Sequence, residues 1–224
     1  MELHSLGESV WLIYLPEEAE AVQLSAHIRE IAPNWLQDVV PAYSSVGVYF
    51  DADRIRSVEV AEWLLLECHH HSRPALQSEN ARTIHIPVCY ERGPDLAAVS
   101  TLLNLTPEAI IELHSTTMYT VHAIGFVPGF PYLGYLPPEL CSVPRMASPR
   151  TRVEPGSVGL TGRQTGLYPL ARPGGWHLIG QTPLILVDVA AGFFPLRVGD
   201  RISFTRIDEV EYHQQHGQRV CRPV

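Results

Sequence analysis

Apolar positions follow two different rhythms in this chain, and the change of rhythm divides it. Residues 9–15 (SVWLIYL) form a short apolar run stopped by Pro16, which predicts a strand. Over 17–32 the spacing becomes helical, with Ala21, Leu24, Ile28 and Ile31 on one stripe. Glu17, Glu18 and Glu20 sit where the helix dipole is positive. Residues 35–42 and 45–50 read as two strands joined at Tyr43-Ser44, residues 58–70 as a second helix, and 83–90 (TIHIPVCY) as an alternating strand. The order β-α-β-β-α-β matches the split βαβ, ferredoxin-like unit. Residues 72–81 are polar around Pro74 and read as a linker near the end of a first domain, 1–82.

The second part, 83–224, opens with that same strand and a short helix over 95–103. Thr106-Pro107-Glu108 supplies an N-cap with proline at the first helical position, so a helix runs to about His114. Short strands then follow at turn-rich intervals, over 119–125, 156–160, 176–179, 184–187 and 201–206. That spacing predicts a β-barrel rather than a doubly wound sheet, and makes the whole chain α+β. The tail after Ile207 is polar and is expected at the surface.

Charge follows the same division. Residues 1–82 hold thirteen Asp and Glu against five Arg, whereas 83–224 hold eleven of each sign. An acidic half argues against nucleic acid as a partner. No apolar run reaches the roughly 20 residues of a membrane span and the N-terminus lacks a signal-peptide pattern, so the expected location is cytoplasmic. Four scattered cysteines form no CxxC pair and suggest neither disulfides nor zinc. His69-His70-His71 reads as the close of the second helix, where imidazolium meets the negative dipole end, and no metal is expected. All sixteen basic residues are arginine, so a P-loop lysine, a Schiff base and a biotinylated lysine are excluded.

Candidate chemistry concentrates between Gly125 and Asp188, where glycines and prolines recur every few residues around short apolar runs. Such a stretch specifies rigid loops on short strands. It carries Arg145, Arg150, Arg152, Arg163 and Arg172, and guanidinium matches carboxylate and phosphate in a bidentate fork. Gly156, Gly159, Gly162 and Gly166 fit neither dinucleotide nor P-loop signatures, but their turns can cradle an anion. Ser157 lacks the GxSxG elbow, and Glu139 and Glu154 are not placed as a glycosidase pair. Phe126, Phe130, Tyr132 and Tyr135, interleaved with prolines and glycines, read as a pocket rim. His114 is either a general base or a capping and packing histidine.

The runs GFVPGFPYLGYL, PR…PRTRVEPGSVGL, QTGLYPL and PGGWHLIGQTPL, with IHIPVCY and ELHSTTMYTV before them, resemble the bacterial 5-oxoprolinase B-subunit family. That family overlaps with allophanate hydrolase subunit 1 and with the KipI-type inhibitor of a sporulation histidine kinase. The resemblance implies a C-terminal cyclophilin-like barrel and two partners, the 5-oxoprolinase A and C subunits. Together these would cleave 5-oxo-L-proline to L-glutamate with ATP, accompanied by magnesium, as cosubstrate; the alternative is the kinase inhibitor or a urea carboxylase-related subunit. The expected catalytic residues are His114, Arg145 and Arg150. The expected substrate- or nucleotide-binding residues are Phe126, Pro128, Phe130, Gln164, Thr165, Tyr168, Gly174, Gly175 and Trp176. Arg145, Arg150, Gln164, Thr165 and Tyr168, with His114 nearby, are expected to line one cleft.

Overall fold

The structure, a computed structural model, describes residues 1–70 and 82–221. His71 and the expected linker at 72–81 lie outside the described residues. The chain divides into two compact units, Met1–Asn80 and Ala81–Val224.

The first unit contains β1 (Glu2–Ser5), β2 (Val10–Tyr14), α1 (Glu18–Ile31), β3 (Leu36–Ala42), β4 (Ser45–Phe50) and α2 (Ser57–His70). Its sheet has the order β1-β2-β4-β3 and is antiparallel throughout. Ile13, Val39, Val46, Val48 and Phe50 face Ala21, Leu24 and Ile28 of the first helix and Val60 and Leu64 of the second. The β3–β4 hairpin turns at Tyr43, whose φ of 54° is left-handed. The expected β-α-β-β-α-β order is corrected here, because the strand at Thr83–Val88 does not join this sheet. The fourth position is taken by β1, a short edge strand whose sequence ELHS is too polar to announce itself.

In the second unit β5 (Thr83–Val88) pairs in parallel with β13 (Arg201–Arg206). Between them in the chain come α3 (Leu96–Leu103), α4 (Pro107–Thr116), β6 (Met118–Ile124), β7 (Pro131–Gly134) and β8 (Arg150–Val153). These are followed by β9 (Ser157–Thr161), β10 (Gln164–Leu167), β11 (Arg172–Gly174) and β12 (His177–Gln181). The seven-stranded sheet runs β12-β9-β10-β7-β6-β13-β5. Its two edges meet where Cys89 and Gln181 exchange backbone hydrogen bonds of 2.9 and 3.0 Å, so the sheet is nearly closed into a barrel. Asp95 extends this seam: its N–H donates to the Leu178 carbonyl at 3.0 Å, and its carboxylate accepts from the Leu178 N–H at 2.7 Å. A Cβ on Gly93 would stand 2.2 Å from the Ile179 carbonyl, so only glycine lets the backbones approach there.

Inward positions alternate along each strand, and Ile84, Ile86, Val121, Leu133, Val158, Leu160, Ile179 and Ile202 fill the barrel with Val99 and Ile110 from the two helices. Residues 184–187, expected as a strand, make only an isolated bridge between Ile185 and Arg219. The polar tail folds into α5 (Glu209–Gln215), started by a capping box in which the Asp208 carboxylate accepts from the Glu211 N–H. No single helix among the described residues is long and apolar enough to cross a membrane.

Candidate functional site

The strand period decides which candidate residues can act together. On β10, Thr165 points into the barrel and Gln164 points out, because successive side chains alternate. Gln164 pairs with Gly134 of β7, and Gly166 pairs with Tyr132. The outer face of β10, β7 and β6 therefore carries Gln164, Tyr132 and His122 around two glycines. Each glycine lies beneath a ring. A Cβ on Gly134 would be 2.8 Å from His122 Cδ2, and one on Gly166 would be 2.9 Å from Phe130 Cζ.

The face has two ends. At one end is an aromatic platform in which Phe130 meets Tyr132, Tyr168 and Trp176 edge-on, at centroid distances of 5.0, 5.1 and 5.6 Å. The platform includes Val153 of β8, which pairs with Arg172 of β11. A Cβ on Gly174 would come within 2.4 Å of the Tyr168 hydroxyl, so this hairpin lies directly on that ring. Burial raises the phenol pKa values of Tyr132 and Tyr168, and the positive charge of Arg145 opposes the rise at both. Arg145 is exposed and makes no ion pair among the described residues.

At the other end is a polar corner. Arg163 lies over the Tyr135 ring with Cζ 4.3 Å from the centroid. The His122 ring is 5.2 Å from Tyr135 at an interplanar angle of 31°. The turn that carries Arg163 is fixed by the Leu136 N–H donating to its carbonyl at 2.9 Å. Arg163 is exposed and, like Arg145, has no carboxylate partner among the described residues. The other three loop arginines differ. Arg150 is tied to Asp95 Oδ1 at 2.5 Å, Arg152 pairs with Glu154 at 2.6 Å on the surface, and Arg172 donates to the Ala171 carbonyl.

His114 requires correction as a catalytic candidate. It is fully buried in the barrel and stacked on Phe204 at 4.6 Å. Nδ1 is 2.8 Å from the Tyr90 hydroxyl, and Nε2 is 2.9 Å from Thr165 Oγ1. The Thr165 hydroxyl donates to the Gly159 carbonyl at 3.0 Å, so it accepts from Nε2–H, and Nδ1 accepts from Tyr90. Desolvation pushes the imidazole down to about 3. A neutral histidine with both nitrogens spent on core partners takes no proton from a substrate.

The expected single cleft is corrected with it. Thr165 faces inward, Tyr168, Phe130 and Trp176 are buried in the platform, and Arg150 is held by Asp95. Gly174 and Gly175 belong to the hairpin segment above the platform. Phe126 is 60 % exposed at φ 65°, with exposed Pro128 beside it, at the tip of the loop between β6 and β7. A separate apolar cleft of about 250 Å³ lies by that loop, lined by Ile124, Gly129, Leu186, Val187, Phe194 and Leu196. On the outer side of the sheet the structure places Gln164, half-buried Tyr132 and buried His122, with Tyr135 and Arg163 beside His122 and Arg145 near Tyr132. His122 went unrecognised in the sequence; the signal was a histidine inside a strand, opposite a glycine on the neighbouring strand.

Residues 1–192 match the family model described as the carboxyltransferase domain, subdomain C and D. The chain is 52% identical to a Haemophilus influenzae protein named as the B subunit of 5-oxoprolinase, over 91% of this chain and 97% of that one. It is 35% identical to the Bacillus subtilis protein of the same name, covering 95% of each. Among solved structures it resembles TTHA0988, with a TM-score of 0.76 and 35% identity over 89% of this chain, and it spans 40% of that longer chain. It also shares its fold with the Kluyveromyces lactis urea amidolyase, at a TM-score of 0.72 and 15% identity over 95% of this chain and 15% of that one. A nearly closed barrel-like sheet, a family match over most of the chain and relatives alike from end to end agree, and the chain belongs to the 5-oxoprolinase B-subunit family of carboxyltransferase C and D domains.

Proposed function

We propose that this chain is the B subunit of an ATP-dependent 5-oxoprolinase and works with the A and C subunits to convert 5-oxo-L-proline to L-glutamate. The observation that carries the reading is 52% identity to a 5-oxoprolinase B subunit over nearly the whole of both chains. The barrel is the cyclophilin-like domain over 83–224, the first domain is 1–82, and the assembly is cytoplasmic.

The lactam is unreactive because its nitrogen donates into the carbonyl. Transfer of the γ-phosphoryl group of ATP to the lactam oxygen, with release of ADP, makes that carbon electrophilic. Water then adds to that carbon, the C–N bond breaks as the ring nitrogen takes a proton to become the amino group, and a second water hydrolyses the resulting acyl phosphate to the carboxylate of glutamate and free phosphate. Phosphoryl transfer places charge on equatorial oxygens, so positioned cations carry much of the catalysis. Magnesium accompanies the ATP phosphates. Arg145, exposed near Tyr132 and Tyr168 with no carboxylate partner among the described residues, is the group on this chain suited to that charge.

The test is reconstitution. The chain mixed with the A and C subunits should form glutamate from 5-oxoproline only when ATP is added, and the chain alone should form none. Absence of ATP-dependent glutamate from the full assembly would overturn the reading.

A further inference from the structure

The outer face of the barrel has a positive group at each end, and the two sit in different company. Arg145 lies close enough to the half-buried Tyr132 and buried Tyr168 for its charge to act on both phenols, whereas Arg163 lies on the exposed ring of Tyr135 next to His122. A guanidinium laid over a ring at 4.3 Å is held in one orientation while its edge remains open to a planar acceptor. Gln164 follows Arg163 directly, at the start of β10 opposite Gly134. Gly134 opposite Gln164 lets the buried His122 ring lie against the backbone, beside Tyr135.

We propose that the corner formed by Arg163, Gln164, His122 and Tyr135 is a carboxylate subsite that holds the α-carboxylate of 5-oxoproline, with Arg163 as its bidentate partner. The assignment rests on the 5-oxoprolinase reading and refines it. It separates two anion duties on one face: the substrate carboxylate is gripped at Arg163, and developing phosphoryl charge is met from the Arg145 end. Selection of this substrate over a neutral lactam then comes from the corner rather than from the platform.

The experiment uses the assembly of all three subunits and compares 5-oxoproline with its neutral carboxamide, 5-oxoprolinamide. Arg163→Gln should raise the KM for 5-oxoproline about 10- to 100-fold, leave the KM for ATP unchanged, and bring the preference for acid over amide close to one. Arg163→Lys should keep part of that preference, since charge remains while the fork is lost. An acid-over-amide preference equal to wild type in Arg163→Gln, or a change confined to the KM for ATP, would overturn the subsite while leaving the 5-oxoprolinase reading intact. Binding of 5-oxoproline to the same assembly without ATP, followed by calorimetry, separates the two ideas from the other side. Binding that disappears with Arg163→Gln supports the subsite even where no glutamate is formed, and unaltered binding overturns it.

Discussion

His114 and His122 lie eight positions apart and could hardly be used more differently. His114 closes a buried relay from Tyr90 to Thr165 to the Gly159 carbonyl, in the middle of the barrel. His122 lies on the outside of the same wall, against Gly134 and beside Tyr135. Gln164 and Thr165, adjacent in sequence, show the contrast within a single strand, β10. The barrel wall is one residue thick, so the alternation of a single strand separates a core side chain from an outward-facing one. For Gln164 and Thr165 the parity of the position decides the side, whereas His114 reaches the interior from α4.

The contrast breaks most violently at the inner wall. His114→Ala should cost about 3–5 kcal/mol of stability, because it opens a cavity and strands the Tyr90 and Thr165 hydroxyls. Urea unfolding of the purified chain measures it, and a loss below about 1 kcal/mol would mean the relay is not structural. Arg150→Gln comes next, at about 1–3 kcal/mol, since it removes the partner of buried Asp95 at the seam. Wild-type stability with lost activity in the assembly would instead return Arg150 to the substrate. Thr165→Val should cost a similar 1–3 kcal/mol or so by leaving the Nε2–H of His114 without an acceptor. Its neighbour Gln164→Val should change stability by no more than about 0.5 kcal/mol while lowering turnover of 5-oxoproline, and equal effects of the two would erase the distinction between the faces.

Acid probes the inner wall more gently. The folded barrel keeps His114 neutral down to about 3, whereas an unfolded imidazole takes its proton near the ordinary 6.5. Between those values protons favour the unfolded chain, so stability falls as pH drops, by up to about 1.4 kcal/mol per unit. Denaturation midpoints between about pH 6.5 and 5.0 should show the slope, and His114→Gln should flatten it.

Much of the fold was legible because it rests on local signals. The α1 stripe of Ala21, Leu24 and Ile28, the Thr106-Pro107 start of α4 and the alternation of β5 each carry their own instruction. The partner of β5 did not, because pairing with β13 is a long-range decision that no window of sequence contains. Short strands such as Pro131–Gly134 and Arg172–Gly174 were hidden by prolines and glycines that usually mark turns. The helix after Ile207 was readable from Asp208 and Glu211, since an acidic N-cap followed three positions later by glutamate is a start signal. At the candidate site, the density of arginine marked the loops and Arg145, but not which of the remaining guanidinium groups is tied and which is open. Arg150 and Arg163 look alike in sequence, and only Asp95, far upstream, separates the tied one from the open one.

The seam between Cys89 and Gln181 bears on how the protein is born. Translation delivers β5 early, yet neither of its lateral neighbours exists until the segments at His177–Gln181 and Arg201–Arg206 have left the ribosome. For most of synthesis Ile84, Ile86 and Val88 therefore belong to an unpaired apolar edge, the kind of surface that recruits other nascent chains. The segments at 177–206 thus decide whether the first strand of the barrel is sheltered, and a product stalled before them would carry that edge exposed into the cell.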